Sequence, residues 1–186
     1  MIGYAFCGSF CTVSYALREL ATLCLEYEVQ GIVSEAVAST DTRFGQAADT
    51  LAKIEALTGR PVIQSIKDAE PLGPATPLEA LIIAPCTGNT LAKMANGITD
   101  STVTMAAKAH LRANRPLLLA LATNDALSAN LGNIGKLIQK KNVYFLPMRQ
   151  DDPKGKPHSL VADFSLMRAG LSAALAGVQT EPLFLL

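Results

Sequence analysis

Residues 80–100 constrain this chain more than any other stretch. The apolar run Ala80-Leu81-Ile82-Ile83-Ala84 stops at Pro85, a polar turn of small residues follows, Cys86-Thr87-Gly88-Asn89-Thr90, and a helical pattern then begins. Such an apolar run has the length and character of a buried strand. A buried strand that opens through a polar turn into a helix is where open α/β sheets place ligands. The turn presents backbone N–H groups and short polar side chains beside the positive end of a helix dipole.

The same grammar repeats along the chain. Ile2-Gly3-Tyr4-Ala5-Phe6-Cys7 reads as a first strand, broken by Gly8-Ser9, and apolar positions at Val13, Ala16, Leu17, Leu20 and Cys24 have helical spacing. The apolar start reads as a strand and not as a signal peptide, because the first cation is Arg18. Val29 to Val33 is a second strand, broken at Ser34-Glu35. A polar segment, Ser39 to Gly45, leads to a helix marked by Ala47, Leu51, Ile54 and Thr58, with Gly59 and Pro61 ending it. Val62-Ile63 is a candidate short strand. Residues 64–79 carry three prolines, which argue against a regular element over most of the segment. A loop of that length in a compact domain is usually a lid or a subunit contact.

Beyond the central stretch, Val103, Ala106, Ala107, His110 and Leu111 mark a helix that Asp100 or Ser101 caps. Leu117 to Ala122 is a near-continuous apolar run, as expected of a central parallel strand, and ends in Thr123-Asn124-Asp125. Leu127, Leu131, Ile134 and Ile138 space as a helix, Val143 to Leu146 is the last strand candidate, and Leu171, Ala174, Leu175 and Val178 mark the final helix. Between those two lies a polar, proline-punctuated loop, 150–159. Alternation of strand and helix predicts one α/β domain over residues 1–186, three-layered α/β/α, with a doubly wound, mostly parallel sheet.

Composition narrows the class of partner. Lys plus Arg equals Asp plus Glu, 16 each, so no net field draws in nucleic acid or a membrane surface. No apolar run reaches membrane-spanning length. Cys7, Cys11, Cys24 and Cys86 form no CxxC pair, and two histidines are too few to complete a zinc site. Reduced thiols and no metal centre are the expectation. The absence of GxSxG, Walker lysine, HExxH and GxGxxG patterns argues against a serine hydrolase, a P-loop enzyme, a zinc protease and tight NAD binding.

In such a sheet the turns after the strands share one edge. Gly8-Ser9, Ser34, Thr87-Gly88-Asn89-Thr90 and Thr123-Asn124 are thereby placed to converge on one ligand. Hydroxyls, amides and backbone donors suit a polar ring system with a phosphate better than they suit a hydrolytic nucleophile. His110, on the apolar stripe of its helix, reads as a core histidine before a catalytic one, and His158 as a solvated loop residue. Cys86 sits where a helix start would favour a thiolate, but cysteine is often a small buried hydrophobe. Asp151-Asp152 before a proline reads as a turn before it reads as a metal or acid/base pair.

With these turns in place, Ala84-Pro85-x3-Asn89-Thr90-Leu91-Ala92-Lys93-x-Ala95-Asn96-Gly97-x2-Asp100 resembles the FMN-binding signature of the flavin-dependent decarboxylase-type flavoproteins. The resemblance implies a flavodoxin-like (Rossmann-like) fold, noncovalent FMN, and trimers or dodecamers. It places Gly8, Ser9 and Ser34 at the phosphate, and Pro85, Asn89 and Asn124 at the flavin and its ribityl chain. Residues 64–79 lack the catalytic histidine of the family's decarboxylases. Only Asn124 remains of their PxMNxxMW motif, and their cysteine-bearing C-terminal flap is missing, so decarboxylation of a cysteinyl substrate is disfavoured.

Further stretches resemble one branch, the dipicolinate synthase B subunits: Tyr4 to Cys11, Asp41 to Gly45, Val103 to Arg112, and Gln150 to Pro153 with Lys156 to Ala162. That resemblance implies a cytoplasmic protein of the mother cell in a sporulating bacterium. With an NAD(P)-binding A subunit it would oxidise a dihydrodipicolinate-type intermediate, a small cyclic dicarboxylate, to dipicolinate. A non-catalytic scaffold for the A subunit is the alternative, and a flavin-dependent decarboxylase ranks below both. The substrate carboxylates require cations, for which Arg43, Lys108 and Arg112 are the candidates. His110 is the weak candidate for a base. Loops 64–79 and 150–159 are expected to form a lid or the A-subunit contact.

Overall fold

A computed structural model describes residues 1–73 and 75–185; Pro74 and Leu186 lie outside the described residues. Strands β1 (Ile2–Phe6), β2 (Val29–Val33), β3 (Ala80–Cys86) and β4 (Leu117–Thr123) pair in parallel in the order β2-β1-β3-β4. The amino-terminal half of β4 continues in parallel with β5 (Val143–Phe145). Its carboxyl end turns to an antiparallel neighbour, β7 (Leu160–Ala162), which pairs in turn with β6 (Met148–Arg149). Strand order reverses between β1 and β3, the position at which doubly wound sheets open a crevice.

The three layers follow from side-chain alternation. Leu81, Ile83, Leu117, Leu119 and Leu121 point to one face, where Leu91 and Met94 of α5 (Gly88–Ala95), Val103 and Ala106 of α6 (Thr102–Arg112) and Ile134 of α7 (Leu131–Ile138) cover them. Tyr4, Phe6, Ile82, Leu118 and Ala120 point to the other. They meet Ala16 and Leu20 of α1 (Val13–Leu23), Ile54 of α3 (Ala47–Thr58) and Leu171 of α8 (Met167–Leu175). The expected doubly wound, mostly parallel sheet is therefore present. Helix ends match their signals as well: Gly59 closes α3 at φ 66°, and Ser101 opens α6 in a reciprocal capping box with Thr104.

Four expectations need correction. Strand β3 does not stop at Pro85 but runs through it to Cys86, with a register shift against β4 between Ile83 and Cys86; a residue without an N–H is tolerated at such an irregularity. The segment Val62-Ile63 makes only a single bridge, Ile63 to Ile32 on the outer edge of β2. The described part of 64–79 is not plain loop. It holds α4 (Ile66–Ala69), capped by Ser65, and a 3-10 turn (Glu70–Leu72), with Ala69, Leu72 and Leu78 buried towards α6. Finally, Val143 to Leu146 is not the last strand, because the β6–β7 hairpin follows it.

Candidate functional site

Three of the predicted turns end at one place. A cleft of about 720 Å³ opens at the carboxyl ends of β1, β3 and β4, lined by Gly8 and Ser9, by Thr87, Gly88 and Asn89, and by Thr123 and Asn124. Arg43 reaches the same cleft from the loop between the short helix α2 (Glu35–Ser39) and α3, its guanidinium 4.8 Å from the centre of the Phe44 ring.

The turn after β1 leaves donors free for a ligand. Ser9 precedes a 3-10 turn (Phe10–Thr12) that runs into α1, yet its side chain caps nothing. Instead the Thr12 hydroxyl donates to the Ser9 carbonyl at 2.9 Å and the Ser9 hydroxyl at 3.2 Å. The first amides of a helical turn have no partner within it, so an uncapped start opens its N–H groups to whatever occupies the cleft. The start of α5 is built differently. Thr87 accepts from the Thr90 amide at 3.2 Å, and Gly88 is packed so closely that an added Cβ would stand 2.6 Å from Asn130 Nδ2 and 2.8 Å from Asp125 Oδ1. Asp125 is fixed there by the Thr123 hydroxyl at 2.5 Å and Asn130 Nδ2 at 3.0 Å.

Other predicted residues are placed elsewhere. Ser34 turns its hydroxyl to the Val37 amide as the N-cap of α2, and is not among the cleft-lining residues. Pro85 is buried within β3, and Thr90 is buried with its hydroxyl donating to Cys7 Sγ at 3.2 Å. These two build the floor from beneath. His110 is fully buried at the opposite edge of the sheet, its Nε2 bonded to the Pro116 carbonyl at 2.8 Å just before β4 begins. Burial lowers its pKa, and its Nδ1 has no partner, so it is a neutral core histidine that does not reach the cleft. Lys108 and Arg112 are exposed on α6 and do not line the cleft. Cys86 is buried, and desolvation raises its thiol pKa well above the ordinary value, which removes the thiolate reading. Loop 64–79 packs towards α6 and contributes no cleft residue among those described.

Loop 150–159, expected as a lid or subunit contact, does border the cleft, but the individual wall residues were not named as such from the sequence. The β6–β7 hairpin leans over the cleft with Asp151, Lys156, Ser159 and Val161, while the aromatic side chains Phe10, Tyr15 and Phe44 also line it. Within the hairpin, Asp151 accepts from the Ser159 hydroxyl at 2.5 Å and from Lys156 Nζ at 2.9 Å. Those bonds, Ser159 first, hold the Asp151 carboxyl below the usual carboxylate range, and the bond to Asp151 raises Lys156. The signal available was Asp151 and Lys156 flanking a proline turn, which is also how a solvated loop looks. Among the described residues no group of three or more His, Cys, Asp or Glu is placed to hold a metal ion.

Residues 2–165 match the family model described as Flavoprotein. The chain is 46% identical over 183 residues to the B subunit of dipicolinate synthase from Bacillus subtilis (strain 168), a match spanning 98% of this chain and 92% of that protein. The chain belongs to the Flavoprotein family, as a homologue of the dipicolinate synthase B subunit. A crystal structure of the dipicolinate synthase B subunit from Bacillus halodurans C superposes with a TM-score of 0.91 at 42% identity, covering 100% of this chain and 95% of that one. A more distant flavoprotein, the FMN-dependent cysteine decarboxylase SpaF, shares the fold at a TM-score of 0.68 and 23% identity, covering 94% of each chain. No helix among the described residues is long and apolar enough to cross a membrane.

Proposed function

We propose that this chain holds FMN in the cleft between β1, β3 and β4. With an NAD(P)-binding A subunit it would oxidise a dihydrodipicolinate-type dicarboxylate to dipicolinate, in the mother cell of a sporulating bacterium. The observation that carries this reading is the match to the Bacillus subtilis protein. It runs over 98% of the chain and so takes in the sheet-edge turns and the hairpin alike.

The cleft's chemistry fits the cofactor. Its volume lies within the usual range for small-molecule sites, and its floor offers hydroxyls, carboxamides and the uncapped amides after β1. The turn Gly8-Ser9-Phe10 would hold the phosphate at the start of α1. Thr87, Asn89, Thr123 and Asn124 would meet the ribityl chain and ring, with Gly88 permitting the close approach of α5. Ser34, Pro85 and Thr90 support those turns from behind. Bound FMN would supply a hydride acceptor. The protein's own part is to orient a small ring against that cofactor, to match its negative charge, and to exclude water under the hairpin.

The purified protein provides the first test. This reading expects a yellow protein, or a colourless one that takes up added FMN with flavin fluorescence quenched at about one FMN per chain. A protein that rejects added FMN would return the chain to a scaffold role.

A further inference from the structure

Loops from opposite sides of the sheet bring one cation each into the cleft. Arg43 comes from the segment that follows β2, at one edge of the strand order, and Lys156 from the hairpin joined to β4 at the other. Among the described residues lining the cleft these are the only two cations, and Asp151 is the only carboxylate. Lys156 is exposed but has an ion-pair partner inside the hairpin. Asp151, itself fixed by Ser159, draws its ammonium to 2.9 Å within the hairpin. Arg43 lies over the Phe44 ring, and no hydrogen bond or ion pair engages its guanidinium among the described residues.

We infer that Arg43 and Lys156 form a two-point clamp for a small dianion, each receiving one carboxylate of the same ligand across the cleft. This rests on the proposed function for the ligand's identity, but not for its charge pattern. A guanidinium presents a planar pair of donors to a carboxylate, whereas an ammonium acts as a compact point charge. Two such groups on separate loops read the separation of two carboxylates and not merely the presence of one. Asp151 is a positioning residue. It holds Lys156 in place, and the ligand carboxylate competes for the same ammonium, so a monoanion gains little by displacing that contact. Lys156 thereby makes the site selective for dicarboxylates, and Arg43 alone supplies what affinity a monocarboxylate has.

Titration calorimetry on the FMN-treated full chain tests this with pyridine-2,6-dicarboxylate, pyridine-2-carboxylate and an aliphatic dicarboxylate as probes. The wild-type protein is expected to bind the pyridine dicarboxylate at least about tenfold more tightly than the monocarboxylate, the size of one charge-assisted contact. Lys156→Met should remove that preference while leaving monocarboxylate binding within about twofold, and Lys156→Arg should restore part of it. Arg43→Met should weaken both pyridine ligands about tenfold. Circular dichroism on each variant separates misfolding from lost contacts. If the pyridine dicarboxylate binds and Lys156→Met keeps the wild-type preference, the clamp is overturned while the proposed reaction stands. If the aliphatic dicarboxylate alone binds, with the same dependence on both cations, the clamp stands and the proposed substrate falls. A wild-type protein that binds no dicarboxylate overturns the clamp.

Discussion

At Gly88 an added methyl would stand 2.6 Å from Asn130 Nδ2, 2.7 Å from the Thr123 hydroxyl and 2.8 Å from Asp125 Oδ1, all three tied together by hydrogen bonds. Gly88→Ala should therefore cost about 1–3 kcal/mol, as overpacking does, and lower the melting temperature by several degrees. An unchanged melting curve would mean that the turn yields freely. Cys7 makes a second residue-scale claim. Burial, only partly offset by the hydroxyl of Thr90, pushes its thiol to about 11 from an ordinary 9.0. The raised acid keeps its proton longer in the folded chain than in the unfolded one. Its stabilising contribution is then complete below pH 9.0 and lost as pH climbs towards about 11. Urea midpoints should fall from about pH 8 to about pH 10, and fall less in Cys7→Ala. A flat profile would contradict the burial. His110 shows why single residues were only half legible. Its place on the apolar stripe identified a core histidine, but only the fold puts it at the edge of the sheet away from the cleft.

Elements of ordinary length were legible because their signals are local. The 3.6-residue spacing in α1 and α3, the glycine after α3 and the Ser101 cap each lie within a few residues of what they specify. The hairpin was not, for a physical reason. Strands of two and three residues carry no period, and β7 is fixed by antiparallel pairing with Ala122 and Thr123, some forty positions away along the chain. Segment 64–79 failed the other way: its prolines suggested plain loop, while Ser65 with Asp68 caps a short helix. The hairpin tip is tied mainly by exposed contacts, and exposed ion pairs stabilise little. Replacing residues 151–158 with a short turn should leave thermal stability within about 1 kcal/mol, yet weaken dicarboxylate binding about tenfold. A large loss of stability would make the hairpin part of the fold's foundation and not a cover for the cleft. Helix α6 depends on a longer reach: Glu35 of α2 accepts from the Thr102 amide at 2.9 Å and its hydroxyl at 3.0 Å. Glu35→Ala should cost about 1 kcal/mol in chemical denaturation, and no change would assign α6's start wholly to Ser101.

For the whole molecule, alternation of apolar runs with helical spacing was enough to specify a doubly wound sheet, and the reversal between β1 and β3 then fixed where a ligand crevice must open. The turns at Gly8-Ser9, Thr87-Gly88-Asn89 and Thr123-Asn124 could be named before their convergence was visible, because each directly follows a strand. Ser34 follows one too, but it serves a helix cap. The sequence marks loop 150–159 as a lid or subunit contact, but only the pairing of β7 with β4 puts it at the cleft. The proposed function would join these parts into one account: a flavin on the sheet edge, a small dicarboxylate before it, a hairpin above. The most direct measurement is an anaerobic titration of the FMN-loaded chain and its A subunit with the dihydrodipicolinate-type substrate, followed in the visible flavin band. The account predicts bleaching in proportion to added substrate, and loss of synthase activity when the flavin is removed. An unbleached flavin, with full activity in the flavin-free complex, would contradict it.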